Sequence, residues 1–72
     1  MPRLPVVSGR QVVRALEKLG FVEVRQRGSH VVMRNGARGT AVPLHREIAT
    51  GTLSAILRQC ELTEAQFRDA LR

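Results

Sequence analysis

Imidazole is the side chain whose ordinary pKa, about 6.5, lets it give and take protons near neutrality. This chain has two, His30 and His45. His30 follows the pair Gly28-Ser29, comes shortly after Arg25 and Arg27, and is followed by Arg34. A histidine held at a tight turn among arginines suits chemistry on a phosphodiester. RNA can be cut by its own 2′-hydroxyl if that proton is removed, the charged phosphorane is stabilised and the leaving 5′-oxygen is protonated. Imidazole serves the two proton steps, which typically contribute about 10²–10⁴-fold. Guanidinium groups serve the charge, because their planar fork meets phosphate oxygens two at a time. Taken alone, a surface histidine is ordinarily no more than that, so the surrounding elements carry the argument.

Within this scheme His30 is the candidate acid or base. Gly28 makes the turn. Ser29 first of all occupies the turn, with a hydroxyl that can also meet a phosphate. Arg27 is the best candidate for phosphate contact, and Arg25 and Arg34 are binding surface. His45 is either a strand-end residue or a second proton-transfer group. The complement to His30 is unassigned at this level.

The elements that must position these residues are legible from spacing. Ser8-Gly9-Arg10-Gln11 reads as a capping box, and Val12, Val13, Leu16 and Leu19 follow at helical spacing. Gly20 supplies a left-handed C-terminal residue, which predicts a first helix over 8–19. Residues 21–27 alternate as a strand, with Val22 and Val24 on one face and Glu23, Arg25 and Arg27 on the other. Gly28-Ser29 fits a two-residue type II′ hairpin turn. That turn sets Arg27 opposite His30, Arg25 opposite Val32, Val24 opposite Met33 and Glu23 opposite Arg34. A third strand over about 39–45 presents Val42 and Leu44 to the apolar face, with Pro43 suited to an edge. A tight Asn-Gly turn in Asn35-Gly36-Ala37-Arg38 would put Met33 opposite Arg38 and waste the core face. A longer loop of about four residues is therefore preferred, which would bring His45 opposite His30; a slip of two residues is possible. Thr50 or Thr52 can cap a second helix whose apolar stripe is Leu53, Ile56, Leu57 and Cys60. Thr63-Glu64-Ala65-Gln66 is a second capping box. It opens a short helix with Phe67, Ala70 and Leu71 inward. The fold class expected is α+β: a three-stranded antiparallel sheet with helices on one face and the basic residues on the other.

Composition narrows the partners. The chain is of single-domain length, 1–72, with a small core expected. Twelve Lys and Arg against six Asp and Glu leave a net charge of +6, and only Lys18 among the basic residues is not arginine. A polyanionic partner follows, nucleic acid first and an acidic protein second. Arg10, Arg14 and Lys18 recur on one side of the first helix, either as a solvated face or as a contact with RNA backbone or an acidic protein. With no Trp or Tyr, stacking of bases is poorly served. Loose sequence preference and salt sensitivity are therefore expected. No run of about 18 apolar residues exists to span a membrane. The start Met1-Pro2-Arg3-Leu4-Pro5 has no signal-peptide pattern and is kept extended by its prolines. Cys60 is the single cysteine, expected to be buried and reduced in a cytoplasmic protein. No metal site or cofactor is expected, since neither the cysteine and histidines nor any acidic cluster near the basic face offers ligands for one.

The capped helix SGRQVVRALEKLGF (8–21), the hairpin VRQRGSHVVM (24–33), the strand TAVPLH (40–45) and the helix GTLSAILRQCEL (51–62) together resemble the HicA (YcfA-like) toxins, in this order and spacing. The resemblance covers nearly the whole chain and implies a double-stranded-RNA-binding-domain-like α-β-β-β-α fold. It also implies metal-independent cleavage of mRNA that uses the histidine after the Gly-Ser pair, here His30. The implied partner is a HicB antitoxin that blocks this site, with DNA reached only indirectly through the antitoxin. Two positions depart from the family pattern. Val31, Val32 and Met33 follow His30, where another histidine or an aromatic is common. Glu61 stands where a glycine is common after the second helix. The rival reading is a non-catalytic RNA-binding module on the same fold.

Overall fold

The computed structural model describes residues 4–72; the extension expected at Pro2 lies outside them. The element order is α1 (Gly9–Lys18), β1 (Val22–Arg27), β2 (His30–Asn35), β3 (Arg38–Pro43), α2 (Thr50–Gln59) and α3 (Glu64–Ala70). The strands form one antiparallel sheet in the order β1-β2-β3. This is the α+β arrangement expected, with the helices packed on one sheet face.

Helix α1 begins where the capping box places it. The Ser8 side chain accepts from the Gln11 N–H at 3.2 Å, and the Gln11 side chain accepts from the Ser8 N–H at 2.8 Å. At its end Gly20 takes φ +96°, the Phe21 N–H reaches the Leu16 carbonyl and the Gly20 N–H that of Glu17. This double closure satisfies carbonyls the helix would otherwise leave orphaned. Val12 and Leu16 of α1 meet Val31, Met33 and Val42 of the sheet, Leu53, Ile56 and Leu57 of α2 with Cys60 at its C-cap, and Phe67 of α3 in one core. Buried Thr40 on β3 donates to the Gln59 side chain at 2.6 Å and ties the sheet to α2.

Three expectations are corrected. First, Val22 and Val24 do not enter the core: they are 59% and 50% exposed, and all of β1 is exposed. The helices cover β2 and β3 and leave this edge strand open on both faces. A β-bulge between Glu23 and Arg25 makes Val24 the extra residue. Glu23 therefore pairs with Met33 and Val22 with Arg34, rather than Val24 with Met33 and Glu23 with Arg34. Second, the β2–β3 connection is a two-residue turn at Gly36-Ala37, with Gly36 at φ +62°. Centring the turn there puts Met33 opposite Thr40 and Arg38 opposite Asn35, so the tight turn does not waste the core face. His30 then faces Pro43 instead of His45, and β3 ends at Pro43. Third, neither Thr50 nor Thr52 caps α2. Ala49 is the N-cap, without a side-chain hydrogen bond, and Thr50 is already helical.

The end of α2 repeats the closure of α1 with a different residue. The Leu62 N–H reaches the Leu57 carbonyl and the Glu61 N–H that of Arg58, with Glu61 at φ 55°. A left-handed backbone costs an L-residue roughly 1–2 kcal/mol that glycine avoids. Part of that advantage is offset by glycine's greater entropy when unfolded. Glu61→Gly is expected to stabilise the protein by about 0.5–1 kcal/mol, read as a higher midpoint in urea; an unchanged or lowered midpoint contradicts this account of the helix end.

Cys60 is fully buried, as its place on the α2 stripe predicted. Burial pushes its thiol up to about 11, against a smaller opposing pull from the Arg38 guanidinium. Reaction with a thiol reagent at neutral pH should therefore await unfolding. The raised pKa also favours the fold below the ordinary thiol value of 9.0. Above it the unfolded chain ionises first, so stability falls as pH rises from 9.0 towards about 11. A Cys60→Ala variant should lack this component of the alkaline decline in a pH series of urea melts.

Candidate nucleic-acid interface

The β1–β2 hairpin turns where the sequence places it. Gly28 has φ +57° while Ser29 stays at negative φ, the sign pattern of a type II′ turn. The turn seats Arg27 directly opposite His30, and Arg25 opposite Val32. Along β2, Val31 and Met33 are buried and His30 and Arg34 exposed, so the two histidine-bearing and basic positions lie on the sheet face away from the helices. Among the described residues, no carboxylate forms an ion pair with Arg25, Arg27 or Arg34. Their charge is available to a polyanion.

His45 reaches the same place by a route that strand pairing did not foretell. After Pro43 the chain leaves the ladder. The Leu44 N–H donates to the Ser29 carbonyl at 2.6 Å, and the His45 carbonyl accepts from the Gly9 N–H at 2.9 Å. These two bonds hold residues 44–45 against the hairpin turn and the start of α1. The exposed rings of His30 and His45 lie 6.5 Å apart between centroids, edge to face at 70°.

Gly9 is the residue whose part in this the sequence did not reveal beyond its place in the capping box. It is buried, and a Cβ built on it would come within 2.8 Å of Leu44 Cα and closer still to the Pro43 carbonyl oxygen. Only glycine lets the start of α1 approach the end of β3 this closely. A glycine directly after an N-cap serine, where a side chain would ordinarily be tolerated, was the available signal.

The structure thus brings His30, Arg27, Gly28, Ser29 and His45 together at one end of the sheet. Arg25 sits two residues further along β1. Arg34 stands four residues from His30 on β2, roughly 13 Å away at about 3.3 Å per residue. Its side chain lies over Gly39. Arg34 belongs to the same face but not to the immediate surroundings of His30. Arg14 and Lys18 lie elsewhere, lining a shallow groove between α1 and α3 with Ala70 and Leu71. Lys18 is tied back to the Arg72 carbonyl.

Among the described residues, no three His, Cys, Asp or Glu side chains come together in a way that could hold a metal ion. Within the same residues no helix is long and apolar enough to cross a membrane.

No curated relative matches the chain. A comparison with protein families does find a match, and it runs from the glycine that seats α1 against β3 through the left-handed end of α2. Over residues 9–62, more than half of the chain, it is to the family described as HicA toxin of bacterial toxin-antitoxin, and the chain belongs to that family of toxins.

Proposed function

We propose that this toxin is a metal-independent endoribonuclease that cleaves mRNA and so arrests translation, with His30 in acid–base catalysis. The observation that carries the reading is an exposed imidazole fixed at the hairpin turn, paired across the strands with Arg27, on a face whose arginines Arg25, Arg27 and Arg34 have no carboxylate partner among the described residues. A phosphodiester laid over the turn would meet Arg27 first. Arg25 and Arg34 would hold the flanking backbone, and Gly28, Ser29 and His45 would line the contact. Using the RNA's own 2′-hydroxyl as nucleophile requires no metal-bound water. Binding through phosphates favours loose sequence preference and a rate that falls with salt.

In a toxin–antitoxin system this toxin has an antitoxin partner. We assign that partner to the HicB kind, acidic enough to cover the arginine face and close the site. DNA is contacted only through the antitoxin, and the action is in the cytoplasm. The test is incubation of the purified toxin with RNA in EDTA. Cleavage is expected, and it should cease when the antitoxin is added. Binding of RNA without cleavage would point instead to a non-catalytic RNA-binding module and overturn the enzyme reading.

A further inference from the structure

We propose that His45 is the second proton-transfer group, acting with His30 across one phosphate. This rests on the endoribonuclease reading above and completes it. One imidazole cannot be in both protonation states at once, yet cleavage by a 2′-hydroxyl asks for a base at one oxygen and an acid at another. The 6.5 Å between ring centroids is too wide for the rings to bond to each other. It is suited to a phosphoryl group between them, since each N–H···O contact spans about 2.7–3.2 Å.

The position of His45 is built rather than incidental. Its backbone is fixed by the Gly9 N–H on one side and, through Leu44, by the Ser29 carbonyl on the other. Ser29 directly precedes His30, so a single network sets the spacing of both rings. Pro43, the strand partner of His30, ends the ladder and lets the chain turn His45 back towards the hairpin. Arg27 flanks the pair from β1, where it can meet the non-bridging phosphate oxygens.

The step balances without any co-reactant. The neutral imidazole takes the proton of the 2′-hydroxyl, whose oxygen forms a bond to phosphorus. The bond from phosphorus to the 5′-oxygen breaks, and the other imidazole, protonated, gives its proton to that oxygen. The products are a 2′,3′-cyclic phosphate and a free 5′-hydroxyl. One ring has gained a proton and the other has lost one, and exchange with water resets both.

The experiment uses the full chain and three forms: unsubstituted, His30→Ala and His45→Ala. An RNA whose cut site has been mapped is compared with the same RNA carrying sulfur in place of the 5′-bridging oxygen at that site. A thiolate leaves without protonation, so the acid becomes dispensable while the base does not. Both variants are expected to lose about 10²–10⁴-fold on ordinary RNA. On the sulfur-bridged RNA, one of them should recover to near the unsubstituted rate and the other should stay slow. That asymmetry separates a proton donor from a residue that merely binds. Both rings are exposed, so melting temperatures should match.

If His45→Ala cleaves ordinary RNA within threefold of the unsubstituted chain while His30→Ala does not, the inference fails and the endoribonuclease reading stands. Equal slowing on both substrates by both variants also overturns the inference, since no acid has then been bypassed. If the unsubstituted chain cuts neither RNA, it is the endoribonuclease reading that has failed.

Discussion

The His30→Ala protein is expected to cut RNA about 10²–10⁴-fold more slowly than the unsubstituted toxin, and a bacterial host expressing it should keep growing where the unsubstituted toxin arrests it. The size of the effect follows from the acid–base role proposed for the imidazole. Without it, water must take or give the proton in the transition state, at an energetic disadvantage that no arginine repairs, because guanidinium stays charged at all working pH values. The fold should not change. His30 is exposed and contributes no apolar surface to the core, which is built from Val31 and Met33 on the opposite face of the same strand. Two measurements separate the outcomes. Steady-state cleavage in EDTA reads the chemistry, and the thermal midpoint reads the fold. Equal cleavage by the variant, with an unchanged midpoint, would remove His30 from the mechanism. Growth arrest by the variant would separate toxicity from this histidine altogether.

Gly9→Ala should be the most damaging of the small substitutions. Its methyl would have to occupy space already filled by backbone, the Pro43 carbonyl and Leu44 Cα, neither of which can rotate aside as a flexible side chain could. Overpacking of this kind costs about 1–3 kcal/mol. The Gly9-to-His45 hydrogen bond, strained or lost by the same displacement, is worth roughly 0.5–1.5 kcal/mol more. The expected total is about 2–4 kcal/mol, which for a domain of this size lowers the melting temperature by roughly 8–32 °C. Against a whole stability of order 4–11 kcal/mol this is severe. The protein that remains folded should also cleave RNA poorly, because residues 43–45 must move and carry His45 away from His30. A midpoint within 2–3 °C of the unsubstituted chain would show that α1 and β3 separate easily and that Gly9 does not set the site. Ala at Gly51, where a Cβ meets nothing, is the matched control for adding a methyl to a helical glycine.

Much of this protein was legible in local pattern. Both capping boxes form as read, because each needs only four consecutive residues. The hairpin turn and the Arg27–His30 pairing follow from Gly28-Ser29 alone, since a two-residue turn leaves its flanking residues no other partner. The α2 stripe is buried throughout, Cys60 included. What was misread depends on neighbours far away in the chain. Val22 and Val24 alternate like core residues, but alternation says which residues share a face and not whether anything covers it. The helices cover β2 and β3, and β1 is left open. The β2–β3 turn had two admissible centrings differing by two residues at His30, and no local signal decides between them.

Local pattern and composition specified the set of groups and half of their arrangement: an excess of positive charge and, through contacts within a few residues, an imidazole at a fixed turn with an arginine directly across from it. Tertiary structure alone decided which second group joins them. His45 is not the strand partner of His30; Pro43 is. The rings meet because the chain, released from the ladder, is caught by hydrogen bonds from Leu44 to Ser29 and from Gly9 to His45. Backbone amides and carbonyls are common to nearly every residue, so such capture leaves no mark in side-chain pattern. Its one visible trace is a glycine small enough to let a helix come that close.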